Sequence, residues 1–193
     1  MYISKSSFIK IIVLSLLLFF ILSLFGFKTI EKIFYPYPYK QTVEKYSFAY
    51  GVDPLLVVAV MREESHFNPQ SNSHKGAIGL MQVMPNTAKD IAIRLREDYN
   101  EVNLEDPEVN IRYGIWYLSQ LNKQFSGNSI LVLAAYNAGS ARVNDWLNTT
   151  PLSFNTYLIK DIPFNETREY VQKVLKSYQR YSKIYNDRTY TLK

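Results

Sequence analysis

"EESHFNPQSNSHKGAIGLMQVMPNTA", residues 63–88, begins where an apolar run ends and turn-prone residues take over. Just upstream, "DPLLVVAVMREE" places Asp53 as a helix N-cap and Pro54 at the first helical position, a strong start signal. The run is apolar on nearly all sides, which predicts a buried helix. That helix delivers two adjacent carboxyl groups, Glu63 and Glu64, to its C-terminal end. Consecutive helical residues project about 100° apart, so the two cannot face one cavity. Glu64 stands one turn after Val60 and Met61 and continues their apolar face, whereas Glu63 falls beside Arg62 and is expected to reach solvent. A carboxyl group among apolar side chains is disfavoured in its charged form, so its pKa rises and it can donate a proton near neutrality. Position therefore makes Glu64 the better candidate acid, with a capping or ion-paired glutamate as the alternative.

Residues 65–85 are rich in Ser, Asn, Gly and Pro, which predicts a loop with a small irregular β insertion. Around it the signals are helical. "TVEKYSFAYG" is closed by Gly51, "PNTAKDIAIRLRE" starts at Pro85, and "DPEVNIRYGIWYLSQLNKQF" starts at Asp106-Pro107. "SILVLAAYNAG" ends at Gly139, "SARVNDWLN" is short, and "NETREYVQKVLKSYQRYSKIY" is long with Asn165 as its cap. The expected fold is mainly α, with a domain over residues 42–185 and a tail over 186–193. At 193 residues, one domain is the default.

Residues 11–27, "IIVLSLLLFFILSLFGF", carry no charge and follow Lys5 and Lys10. They predict a membrane anchor or signal segment over 1–27, with an uncleaved transmembrane helix favoured because no A-x-A-like site follows. "FYPYPYKQ" then predicts an extended Tyr/Pro spacer within residues 28–41. Residues 1–40 carry net +4, residues 166–193 net +4 and the middle −3, within the overall +5. Basic ends on a mildly acidic body suit an anionic surface, membrane or cell-wall polymer, better than a nucleic-acid groove. The absence of cysteine excludes disulfides, thiolate nucleophiles and Cys-ligated metals.

The stretch 63–88 resembles the signature of the soluble lytic transglycosylase family, related to goose-type lysozyme: E-S, N-P, S-x-x-G-A-x-G-L-M-Q, M-P, T-A. "NIRYGIWYL", "AAYNAG" and "IPFNETREYV" resemble that family's next three motifs, in the same order. The resemblance implies a lysozyme-like α domain that cleaves the β-1,4 bond between N-acetylmuramic acid and N-acetylglucosamine in peptidoglycan. It implies Glu64 as the catalytic residue and leaves Glu63 outside the signature. It also answers why no second carboxylate follows Glu64. Hydrolases place a partner about 5 to 5.5 Å or about 6.5 to 9.5 Å away. In this family the muramyl C6 hydroxyl is the internal nucleophile, Glu64 would act as acid and then as base, and the product would be a 1,6-anhydromuramyl end.

Several motif residues gain expected roles from the resemblance. Ser73, Gln82 and Asn137 offer hydrogen bonds to the sugars, Met84 offers an adaptable wall, and Tyr136 is expected to line the cleft. Gly76 and Gly79 would let backbone approach the glycan. Tyr170 resembles the family tyrosine placed near the catalytic glutamate. Glu166 and Arg168 are expected to form an ion pair or a cap. His66 and His74, the only histidines, lack metal-ligand spacing, and no cofactor or metal is expected. The expected partners are glycan strands and the cytoplasmic membrane, with a monomeric domain on the extracytoplasmic side and no nucleic acid. The competing readings are a muramidase that uses water and a non-catalytic wall-binding protein of a secretion apparatus.

Overall fold

The computed structural model describes residues 5–149 and 158–185; the expected tail over 186–193 lies outside them. The chain divides into two units, 1–37 and 38–193. The first contains α1, Lys5–Phe34, whose side chains Ile11, Leu14, Leu18 and Phe19 are exposed. Among the described residues, no helix is long and apolar enough to cross a membrane. The spanning helix expected from residues 11–27 is therefore not shown. A charge-free run of 17 residues stands at the lower limit of about 17 to 25 for a crossing helix. Lys10 precedes it in α1, and Glu31 and Lys32 follow it. The expected spacer shrinks to residues 35–39, because nothing before Pro36 stops α1 and the Tyr35 N–H still binds the Glu31 carbonyl at 2.8 Å.

The second unit holds α2 (Lys40–Tyr50), α3 (Pro54–Ser65), α4 (Pro85–Leu95), α5 (Pro107–Gln124), α6 (Ser129–Ala138), α7 (Ser140–Thr149) and α8 (Asn165–Tyr185). Its starts at Asp53-Pro54, Pro85 and Asp106-Pro107 follow the sequence signals, and Asn128 adds a cap to α6. The Asp53 side chain accepts from the Leu55 N–H at 2.7 Å, Asp106 from Val109 at 2.9 Å, and Asn128 from Ile130 at 3.0 Å. Asn165 is the first residue of α8 rather than its cap; the Arg168 N–H reaches back to the Phe164 carbonyl at 3.0 Å. The core is built on α3 and α6, where Val57–Met61 and Leu131–Ala135 are buried. Helix α8 packs on both, through Val171, Val174 and Tyr181, while α2 packs on α3 and α5.

The segment between α3 and α4 corrects the expected β insertion. Among the described residues it forms two isolated antiparallel bridges, Asn72 with Ile78 and Ile78 with Val83, and no strand. Side chains, rather than a ladder, hold it. Asn110 of α5, fully buried, accepts from the Met81 N–H at 2.7 Å and donates to the Ile78 and Leu104 carbonyls at 2.8 Å each. From α3, Ser65 Oγ donates to the Leu80 carbonyl at 2.8 Å and accepts from the Phe67 N–H at 3.1 Å. Two glycines allow this approach. A Cβ on Gly79, at φ +80, would overlap the Asn110 amide and lie 2.6 Å from the Leu104 carbonyl, and one on Gly114 of α5 would overlap Met81. The close approach that Gly79 permits is thus to Asn110, not to a sugar, and Gly76 has open space around it.

Removing the Asn110 amide strands the buried Met81 N–H and the Leu104 carbonyl, each worth about 1 to 3 kcal/mol when left unpaired, while the Ile78 carbonyl keeps the Val83 N–H at 3.0 Å. Asn110→Ala is expected to lower stability by about 2 to 4 kcal/mol, measured as a lower urea midpoint with an unchanged slope.

Candidate active site

Glu64 occupies the last turn of α3, where it is half-buried next to the buried Ser65. Tyr170 of α8 donates its hydroxyl to Glu64 Oε1 at 2.6 Å. The Glu64 pKa is pushed up to about 7, chiefly by burial; the Tyr170 hydrogen bond opposes the rise and the neighbouring Glu63 charge adds to it. Burial, followed by the charge of Glu64, also holds the Tyr170 and Tyr136 hydroxyls well above the usual phenol range, so both stand as neutral donors. Tyr136 of α6 donates to the Met81 carbonyl at 2.7 Å, and its ring meets Tyr117 at 5.6 Å. The alkaline shift of Glu64 places a proton donor where a neutral-pH reaction can use it.

Glu63 corrects the sequence reading. It was expected to reach solvent, yet its side chain is only 17% exposed, accepts from Ser177 Oγ of α8 at 2.6 Å and lies 3.8 Å from Arg62 Nε. The two carboxyl groups do diverge as helical geometry requires, but both turn toward α8. A third carboxyl joins them: the buried Asp53, which caps α3, accepts from the Tyr178 hydroxyl at 2.6 Å.

A cleft of about 340 Å³ is lined by Gln82, Val83, Met84, Thr87, Tyr117, Tyr136 and Asn137, among others. Glu64 is not itself in that lining; Tyr136, which is, lies near enough to feel its charge. The cleft gathers four of the six expected binding residues: Gln82, Met84, Tyr136 and Asn137. Gln82, at φ +48, ties its amide nitrogen to the Ser71 and Gly79 carbonyls at 2.9 Å each, which leaves its carbonyl oxygen for a ligand. Ser73 lies outside the lining, and its Oγ accepts from the Ala77 N–H at 2.9 Å within the loop. The expected Glu166–Arg168 pair is not formed. Arg168 instead donates to the Ile162 carbonyl at 2.6 Å, and Glu166 faces Lys75 at 3.4 Å. Among the described residues no group of three His, Cys, Asp or Glu side chains can hold a metal.

Sequence reasoning missed Ser65, Asn110, Ser177 and Tyr178. The last two had a signal. Hydroxyl residues at 170, 177 and 178 share the face of α8 that carries Val171, Val174 and Tyr181, and hydroxyls on a buried face need acceptors. Directly after Ser65 ends α3, His66 and Phe67 both adopt left-handed backbone, at φ +50 and +66. Such conformations are costly for residues with side chains; here they turn the chain sharply into the loop held by Ser65.

The sequence profile described as "Transglycosylase SLT domain" matches residues 41–155. The chain belongs to the transglycosylase SLT domain family. A soluble lytic murein transglycosylase of Escherichia coli (strain K12) is 38% identical over 152 residues, 76% of this chain and 24% of that protein. A membrane-bound lytic murein transglycosylase C of Glaesserella parasuis is 32% identical over 168 residues, covering 76% of this chain and 46% of the relative. Among solved structures, an inactive glutamate-to-glutamine mutant of lytic transglycosylase Slt from Pseudomonas aeruginosa superposes with a TM-score of 0.72 at 40% identity, over 79% of this chain and 25% of that one. The 70 kDa soluble lytic transglycosylase of Escherichia coli matches with a TM-score of 0.72 at 34% identity, over 81% and 26%. The chain spans about a quarter of the length of the first of these relatives. The SLT match stops before α8, yet α8 supplies the hydroxyls that meet Asp53, Glu63 and Glu64. Those three contacts therefore come from outside the matched span.

The Glu64 pKa of about 7 lies above the ordinary value of 4.5, so the folded state holds a proton that the unfolded state releases. The stability contributed by that protonated group is complete below pH 4.5 and is lost as pH rises through about 7. The difference amounts to about 3 kcal/mol. Glu64→Gln cannot ionise, so its Tm is expected to match that of the native chain at pH 4 and to exceed it at pH 8, read by thermal melts at both values.

Proposed function

We propose that this chain is a peptidoglycan lytic transglycosylase that cleaves the β-1,4 bond from N-acetylmuramic acid to N-acetylglucosamine and leaves a 1,6-anhydromuramyl end. The observation that carries the proposal is a single proton donor near neutrality whose hydrogen-bonding partner is a tyrosine, with the adjacent carboxyl of Glu63 engaged by Ser177. Protonated Glu64 gives its proton to the glycosidic oxygen as the C1–O bond breaks, and N-acetylglucosamine leaves with a free 4-hydroxyl. The resulting Glu64 carboxylate takes the proton of the muramyl C6 hydroxyl as that oxygen bonds to C1. Proton, bond and charge balance, and no water is consumed. Tyr170 binds Oε1, so Oε2 is the oxygen that serves the substrate, and its hydroxyl stabilises the carboxylate formed midway. Gln82, Met84, Tyr136 and Asn137 would seat the glycan in the cleft. Ser73 would act on it from the neighbouring loop.

A positioned acid–base group contributes about 10² to 10⁴ in rate. Glu64→Gln is expected to reduce release of soluble fragments from purified cell wall by at least about a hundredfold while leaving the fold intact. Mass spectrometry of the native protein's digest should show anhydromuramyl ends. Reducing muramic acid as the main product would identify a muramidase, and an unchanged rate in the variant would remove Glu64 from the chemistry. No release by the native protein would leave a wall-binding role.

We further propose that α1 anchors the chain in the cytoplasmic membrane, with the catalytic unit on the wall side where its substrate lies. Support comes from the charge-free run 11–27 and the exposed apolar side chains of α1, which are costly to leave in water at about 25 cal/mol per Å². A relative whose name describes it as membrane-bound adds to this. The protein should stay with the membrane fraction after carbonate washing and retain residues 1–27 on N-terminal sequencing; a soluble product that starts after residue 27 would reveal a cleaved signal.

A further inference from the structure

The cleft carries two cations that the catalytic scheme leaves unused. Lys75 and Arg142 belong to its lining, and among the described residues no carboxylate does. Lys75 has Glu166 within 3.4 Å, both side chains being highly exposed, so that pair is weak. Arg142 of α7 has no carboxylate within ion-pairing distance among the described residues. Its guanidinium instead lies over the Phe164 ring at 5.7 Å, and that ring packs against Trp146 at 5.5 Å. A guanidinium laid on an aromatic face loses little freedom on meeting an acid and offers it a two-pronged contact.

A neutral amino-sugar chain calls for hydrogen-bond donors and acceptors, which Gln82, Tyr117 and Asn137 already supply in this cleft. A fixed positive charge there has no counterpart in such a chain. In a strand of alternating N-acetylglucosamine and N-acetylmuramic acid, the acidic groups all hang from the 3-O-lactyl substituent of the muramyl ring. They are the lactyl carboxylate itself where no peptide is attached, or the carboxylates of the peptide where one is. We infer that Arg142, with Lys75 in the same cleft, forms a carboxylate subsite that seats the lactyl-borne acid of a muramyl residue and selects muramyl glycan over neutral N-acetylglucosamine polymers. This inference rests on the peptidoglycan reading above and adds a specificity determinant to it.

The test measures binding to the full chain carrying Glu64→Gln, by calorimetry, with three ligands: chitopentaose, a peptide-free muramyl tetrasaccharide, and the same tetrasaccharide with peptide stems. Adding Arg142→Gln is expected to weaken binding of a carboxylate-bearing ligand by about tenfold more than that of chitopentaose, the loss of one charge-assisted contact. Arg142→Lys should restore part of the difference, and added salt should erase it. An effect on the peptide-free ligand assigns the lactyl carboxylate, and an effect confined to the peptide-bearing ligand assigns the stem. Equal loss for all three ligands, or no loss for any, overturns the subsite. The peptidoglycan reading falls separately, if the native protein releases no muramyl fragments from cell wall.

Discussion

Burial of one carboxyl group at the end of α3, closed over by α8, is the constraint on which the rest of the molecule depends. A glutamate beside water would stay near its ordinary pKa of 4.5 and would be protonated in only about 0.3% of molecules at pH 7; at a pKa of about 7 roughly half carry the proton. The gain of about two orders of magnitude in the acid form is bought by burial, and burial opposes folding once the group ionises. Helix α8 offsets that cost with three hydroxyl-to-carboxyl bonds of 2.6 Å, from Tyr170, Ser177 and Tyr178, spread from one end of α3 to the other. Each satisfies a polar group that the α3–α8 packing would otherwise strand.

The same economy governs the loop between α3 and α4. Its backbone closes on itself through turn bonds and two isolated bridges rather than a ladder. Its geometry comes from Ser65 at the end of α3 and Asn110 within α5, which together fix Leu80, Met81 and Ile78. Met81 in turn presents the carbonyl that receives the Tyr136 hydroxyl at 2.7 Å, so the residue that lines the cleft is positioned by the residue that fills the core. A chain of contacts thus runs from the serine beside Glu64 to the cleft wall. The E-S, G-L-M-Q, N-I-R-Y-G and A-Y-N-A-G segments are separate along the sequence because each contributes one link to it.

Helices were legible in the sequence because their signals are local: Asp53 with Pro54, Pro85, Asp106 with Pro107, and Gly139 each act on neighbouring backbone. Glu64 was separable from Glu63 by helical geometry, and the family likeness then selected it. What local pattern could not give was the partner across space. Glu63 next to Arg62 looked solvent-facing because nothing within α3 indicated that Ser177, 114 residues later, would cover it. Gly79 looked like a sugar contact because the Asn110 amide that fills its missing side chain lies on another helix. The β insertion shrank for a related reason: a segment rich in Ser, Asn, Gly and Pro pairs its backbone in turns and two isolated bridges, and its remaining contacts come from the side chains of Ser65 and Asn110.

Glu63 bears on the chemistry as well as on the fold. A second carboxyl beside the proposed acid could serve a hydrolase as the group that activates water. Here its Oε1 is occupied by Ser177 at 2.6 Å and it lies 3.8 Å from Arg62 Nε, so it is oriented by α8 rather than presented to a substrate. What it still contributes is its charge, which acts with burial to keep the Glu64 proton in place. In the proposed scheme one carboxyl is the acid, and the other is part of the field that raises its pKa. An intramolecular nucleophile fits that division of labour, since an enzyme that recruits the substrate's own hydroxyl needs a single group able to give a proton and then take one back.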